Sequence, residues 1–173
     1  FIEALSTLIK RLAVDHLHIV GDVFDRGEHP DDILDLLMEH HSIDIQWGNH
    51  DILWMGATAG SDACIATTIR NNIQYNNMQM LENGYGISLR TLTLFAERLY
   101  PDMEPMKAAL KAISVILFKL EGQIISRHPE YNMDDRRLLH KINYENGTIE
   151  IEGKTYEMNL EMMKHVDSIQ TLG

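Results

Sequence analysis

The chain has 173 residues, 45% of them hydrophobic, and a formal net charge of −11. That length is about one domain's worth, and that apolar fraction supports a sizeable core. The acidic balance argues against nucleic acid or an anionic membrane surface as a partner. The single Cys64 excludes an internal disulfide and suits a reducing, cytoplasmic compartment, and no apolar run is long enough to cross a bilayer.

In chain order, residues 1–13 place Ile2, Leu5, Leu8, Ile9 and Leu12 at helical spacing, which predicts a core-facing helix beside the first strand. Leu17-His18-Ile19-Val20 is short, apolar and bounded by turn residues, so it predicts a buried strand. His16 and His18 make a His-x-His pair, but it precedes the turn and lies within the strand, so it reads as structural rather than metal-binding. Gly21 then lets the chain turn sharply. Asp22 and Asp25 fall in the loop at the strand's carboxyl end, where open α/β sheets place ligands. Arg26 adds a planar, permanently charged fork suited to a phosphoryl group. Pro30, Asp31 and Asp32 open a helix, since proline suits its first turn and carboxylates its positive end. Ile33, Leu34, Leu37 and Met38 give it an apolar face. Ile43-Asp44-Ile45-Gln46-Trp47 reads as the next strand and ends in Gly48-Asn49-His50-Asp51. The β-α-β unit thus puts both loops at one end of a parallel sheet. An aspartate that can bridge two divalent cations, an asparagine oxygen that adds a donor without charge, and a histidine that can protonate a leaving alkoxide suit phosphoester hydrolysis.

Residues 52–57 continue as helix, with Trp54 close to the loops, and residues 57–61 are small and read as a joint. Residues 62–72 predict a helix with Ile65, Ile69 and Ile73 on one side, on which Arg70 reads as a solvated surface group rather than a phosphate contact. Tyr75-Asn76-Asn77 and Asn83-Gly84-Tyr85-Gly86 are turn-rich, either lining a pocket or turning a corner. Residues 88–100 predict a helix stopped by Pro101. Residues 103–122 carry Met106, Leu110, Ile113, Leu117 and Leu120 as a core stripe. Asp134-Asp135 lies among arginines and reads as a salt-bridged turn. Asn146-Gly147 marks a hairpin, Thr148-Ile149-Glu150-Ile151 and Lys154-Thr155-Tyr156-Glu157 a ribbon, and residues 160–172 a weak terminal helix.

Gly21-Asp22 with Asp25-Arg26-Gly27, followed by Gly48-Asn49-His50-Asp51, resembles the second and third motifs of the calcineurin-like metallophosphoesterases. The longer runs His18 through Gly27 and Ser42 through Gly56, with Glu82-Asn83-Gly84-Tyr85-Gly86-Ile87, Phe118 through Ile125 and Asn132-Met133-Asp134-Asp135-Arg136, are similar to class III fructose-1,6-bisphosphatase. The two motifs specify the superfamily and the flanking runs the branch. The resemblance implies that Asp22 bridges two divalent metal ions and that Asn49 is a ligand of the second; an Asp, Asn and His donor set suits manganese, with iron, zinc and magnesium left open. It implies His50 as the general acid, Arg26 as a phosphate contact, and Asp25 and Asp51 as groups that orient the loops or His50. The superfamily's first motif, Asp-x-His, is absent before Asp22. The later His-Gly and Gly-His contexts are absent around His128, His140 and His165. The chain therefore reads as an internal piece of a longer enzyme, with less than a complete site.

The expectation is an α/β fold: a fragment of a metallophosphoesterase sheet at residues 1–57, a mostly helical insertion at 58–140, and a β-hairpin with terminal helix at 141–173. The parent would hydrolyse a sugar bisphosphate, by resemblance fructose 1,6-bisphosphate to fructose 6-phosphate in gluconeogenesis. Nucleic acid and membrane are not expected as partners; a homo-oligomer stays open. Two rivals remain. One is a serine/threonine phosphoprotein phosphatase or dinucleotide polyphosphatase: Asp51 in place of the usual glutamate weighs against the former, and the helical block against both. The other is a truncated, non-catalytic domain that binds a phosphate or a partner protein.

Overall fold

A computed structural model describes residues 1–137 and 139–158. Helix α1 (Ile2–Ala13) leads into strand β1 (Leu17–Ile19), helix α2 (Pro30–Met38) and strand β2 (Ile43–Ile45). The strands pair in parallel, with Leu17 opposite Ile43 and Ile19 opposite Ile45. Pro30 is buried at the first turn of α2, with Asp31 and Asp32 beside it, so the helix starts where fixed φ and negative charge favour it. The predicted β-α-β unit is present, and its crossover brings the two loops to the same end of the strands.

Helix α3 (Asn49–Thr58) starts directly from the second loop and packs against α4 (Asp62–Gln74). Ser61 caps α4 through its hydroxyl. A single π-helical turn at Met80–Gly84 follows, then α5 (Arg90–Leu99) and α6 (Pro105–Arg127). The predicted stripe on α6 is core: Ile113 and Leu117 are buried, and Met106, Leu110 and Leu120 pack against them. The helix runs five residues past the expected end, through Gly122 to Arg127. Ala108, Ala109 and Ala112 of α6 and Ala96 of α5 are at most 1% exposed. Side chains this small let α4 and α5 lie close against α6, which makes α6 the axis of the core.

Glu104 caps α6, its two carboxylate oxygens accepting from the backbone N–H of Met106 (3.1 Å) and Lys107 (3.0 Å). Those bonds hold its carboxyl below the ordinary glutamate range. Beyond α6, Arg137 pairs with Asp134 at 2.8 Å, as the salt-bridged turn predicts. The ribbon has three antiparallel strands rather than two: β3 (Ile142–Asn143), β4 (Thr148–Ile151) and β5 (Lys154–Glu157). Glu152 and Gly153 link β4 to β5 with φ of 51° and 73°, the pair of positive values that a tight two-residue hairpin requires.

Two expectations are overturned. Helix α1 forms, but it does not face a core: none of its residues is buried, and Leu12 is 75% exposed. Strand β1 is not buried either, because a two-stranded sheet leaves His18 exposed and Leu17 and Ile19 only half-covered. Helical spacing records which face an element would bury, not whether a covering partner lies within the same stretch of chain. The predicted terminal helix at residues 160–172 lies outside the described residues.

Enlarging a small residue on the α6 axis overpacks the core, so Ala112→Leu is expected to destabilise the fold by roughly 1–3 kcal/mol in denaturant unfolding. Glu104→Gln is expected to lower stability near neutral pH. The cap's contribution is present above the unfolded carboxyl value and is lost as pH falls through the lowered folded value. Thermal melts of the two proteins should therefore converge as pH falls through that lowered value.

Candidate active site

The site is assembled by one buried carboxylate. Asp51 is 6% exposed and sits in the first turn of α3. Its Oδ2 accepts from the backbone N–H of Asp22 (2.6 Å) and of Gly48 (2.9 Å), and its Oδ1 from the N–H of Phe24 (3.2 Å). One side chain thus satisfies a helix-terminal donor on its own loop and two donors of the facing loop. The loops touch so closely because both carry glycine where they meet. Gly21 has φ of 92°, and a Cβ there would lie 2.5 Å from the Gly48 nitrogen; a Cβ on Gly48 would overlap the Asp22 side chain.

Asp22 itself has φ of 54°, a left-handed conformation that aspartate tolerates better than most residues and that persists where surrounding contacts enforce it. Its Oδ1 accepts from the His50 N–H (3.1 Å). Asn49 is the first residue of α3 and is exposed. His50 follows, with Nε2 3.1 Å from Asp25 Oδ1; that carboxylate also lies 3.3 Å from Arg26 Nε. Asp22, Asn49, His50, Asp25 and Arg26 are therefore gathered at one end of the strand pair. Asp51 lies beneath them as their support.

Two residues joined to this set were not singled out from the sequence. Tyr75 carries the Arg26 guanidinium 4.9 Å above its ring, and Asn77 donates to the backbone oxygens of Arg26 and Gly27. Their one sequence signal was the turn-rich run after α4, which left a pocket wall and a simple corner equally open. Trp54 does pack beside the loops, stacked on Phe24 at 4.5 Å. Arg70 fits neither reading offered for it: its Nε donates to Ser114 Oγ (3.1 Å) and ties α4 to α6. His16 and His18 converge on one oxygen of Asp44, at 3.2 and 2.6 Å. The hydrogen bond from His18 holds the Asp44 carboxyl below its ordinary range, so this pair is a cross-strand clasp.

A cavity of about 650 Å³ lies behind the loops, walled by Phe24, Leu34, Ile45, Trp54 and Leu81. Its lining is mostly apolar and offers little to a phosphate. Of the gathered groups, Asp25 and His50 line a narrower polar cleft that reaches Tyr75 and Asn77 beyond the end of α4. For a divalent cation, Asp22 and Asn49 supply oxygen donors of the right kind. Among the described residues, however, no group of three or more His, Cys, Asp or Glu side chains could hold a metal ion. The donors fit such an ion in kind but fall short in number.

Removing the clamp leaves three backbone donors without their acceptor. Asp51→Ala is expected to destabilise the protein by roughly 3 kcal/mol or more in denaturant unfolding, given about 1–3 kcal/mol for each buried group left unsatisfied. A change within about 0.5 kcal/mol, the scale of an indifferent surface substitution, would show that the loops are held by something else.

A family profile described as Firmicute fructose-1,6-bisphosphatase matches residues 1–171. A protein of Clostridium beijerinckii named class 3 fructose-1,6-bisphosphatase 1 is 51% identical over 188 aligned positions, covering 96% of this chain and 28% of that protein. Class 3 fructose-1,6-bisphosphatase of Alkaliphilus metalliredigens is 50% identical, covering 91% of this chain and 27% of its own length. The protein of that name from Listeria monocytogenes serotype 4b is 52% identical, covering 90% and 27%. The chain thus spans about 28% of the length of the curated relatives it matches. No solved structure matches it. Matched over nearly its whole length and half identical to these relatives, the chain belongs to the Firmicute fructose-1,6-bisphosphatase family.

Proposed function

We propose that this chain forms part of the active site of a metal-dependent phosphomonoester hydrolase whose substrate is fructose 1,6-bisphosphate, released as fructose 6-phosphate and phosphate in gluconeogenesis. The observation that carries the reading is the Asp51 carboxylate, which binds the Asp22 and Gly48 backbones together and so sets a metal-type carboxylate, an amide oxygen and a histidine at one end of a parallel strand pair. The names of the relatives support the sugar bisphosphate over a phosphopeptide.

In this reading Asp22 and Asn49 would hold divalent metal, manganese for preference, with Asp22 as the shared carboxylate and Asn49 as a ligand of the second ion; the remaining donors would come from the part of the longer relatives that this chain does not span. Bound metals of this kind hold phosphate and activate water. His50 protonates the leaving alkoxide through one ring nitrogen while the other lies against Asp25, which fixes the plane of the ring. Arg26 takes phosphate oxygens through its guanidinium fork. Asp51 acts through the backbone as a positioning residue. We read residues 1–57 as part of a metallophosphoesterase core, 58–140 as a helical insertion, and 141–173 as the closing segment of the same domain, of which the ribbon β3–β5 is described.

The test is manganese-dependent phosphate release by the full-length protein that contains this chain, with fructose 1,6-bisphosphate, an aryl phosphate and a phosphopeptide as substrates. Selective turnover of the sugar bisphosphate is expected, reduced at least about 100-fold in Asp22→Asn and in His50→Ala, the scale of a lost proton donor or its equivalent. Preference for the phosphopeptide, or no turnover with any divalent metal, overturns the reading.

A further inference from the structure

Arg26 is attached to the helical part of the molecule at two points. Asn77 is 9% exposed, and its Nδ2 donates to the backbone oxygens of Arg26 (3.1 Å) and Gly27 (3.3 Å). Its own N–H donates to the Asn72 oxygen (2.8 Å) at the end of α4, so the amide that grips the loop is itself anchored to a helix. Tyr75, two residues earlier, has its ring 4.9 Å from the centre of the Arg26 guanidinium. Asn76 between them has φ of 60°, a turn conformation that asparagine adopts readily.

We propose that Tyr75 and Asn77 are positioning residues for Arg26, and that through them the end of α4 sets how tightly the site holds a substrate phosphate. The inference rests on the reading of Arg26 as a phosphate contact. Arg26 is an exposed side chain, 65% accessible, and a long flexible side chain loses rotamer entropy when it orders on a ligand. An aromatic face beneath the guanidinium fixes its plane before the ligand arrives and adds a cation–π attraction. The ion pair to Asp25 engages Nε; no bond from the two terminal nitrogens is seen among the described residues, which leaves the half of the fork that grips two oxygens at once. Asn77 does the same for the backbone: with the carbonyls of both Arg26 and Gly27 held, the loop is fixed on either side of the ring contact.

A mere corner at residues 75–77 would support the fold without favouring bound phosphate, so the two roles separate in a coupling experiment. In the full-length protein, Tyr75→Leu is expected to raise the KM for fructose 1,6-bisphosphate about three- to tenfold, the size of one cation–π contact, with kcat within about twofold. Tyr75→Phe, which keeps the ring, is expected to restore the parental KM, and Asn77→Ala to raise KM as Tyr75→Leu does. In an Arg26→Gln background, Tyr75→Leu is expected to change nothing further. Binding of inorganic phosphate, followed by calorimetry in the same proteins, gives the same comparison without turnover. Phosphate binding by a protein that does not hydrolyse the bisphosphate would defeat the functional reading alone, and the coupling between residues 75 and 26 would still decide the inference. Equal effects of Tyr75→Leu in both backgrounds, a fall in kcat at unchanged KM, or a parent protein that binds no phosphate would each overturn it.

Discussion

A carboxylate accepting three backbone N–H groups is the contact on which the arrangement of this site depends. The Asp51 bonds reach Gly48 on its own loop and Asp22 and Phe24 on the other. The strand pair that carries the loops is only three residues deep on each side, which is too little to hold two loops in register to a fraction of an ångström. The clamp supplies what the sheet cannot. It also explains the glycines. At the 2.5 Å approach that a Cβ on Gly21 would make to the Gly48 nitrogen, any side chain would push the loops apart and break the bonds to Asp51.

The helical part does a different job. Three helices packed through alanines form the core, and the turn leaving α4 reaches back to the loop that bears Arg26. Rigid support matters most for the side chain that would otherwise be freest. His50 is largely covered and braced by Asp25; Arg26 stands in solvent, and its order comes from Tyr75 and Asn77. Chemistry-bearing residues on loops held by a stiffer scaffold are a general pattern. Here the scaffold comes from a segment whose own sequence carries no proton-transfer or metal-ligating motif beside the turn.

What could be read from the residues was whatever is encoded locally. Pro30 with two aspartates, the apolar repeat from Met106 to Leu120, and Asn146-Gly147 each carry their own start, face or turn, and each produced the expected element. The two glycine-bounded loops were legible because turn chemistry and ligand chemistry coincide there. The link from Asn77 to Arg26 was not, since a buried amide donating to a distant carbonyl has no signature in spacing. The π-helical turn at Met80–Gly84 and the short β3 were missed for the same reason: both are set by tertiary packing rather than by a local pattern. Helix α1 shows the opposite failure. Its pattern gave the element correctly and its surroundings wrongly, because periodicity cannot name a partner.

That helix has a practical consequence. With Leu5, Leu8, Ile9 and Leu12 all facing water, α1 presents a continuous oily stripe, and it leads into a short strand pair with no further strand on either edge among the described residues. Stripes and open edges of this sort are what chaperones grip and what drives one copy to stick to another. Expressed by itself, the 173-residue chain would go to inclusion bodies more readily than a protein that covers these surfaces, and its yield would rise with any neighbouring segment that seals them.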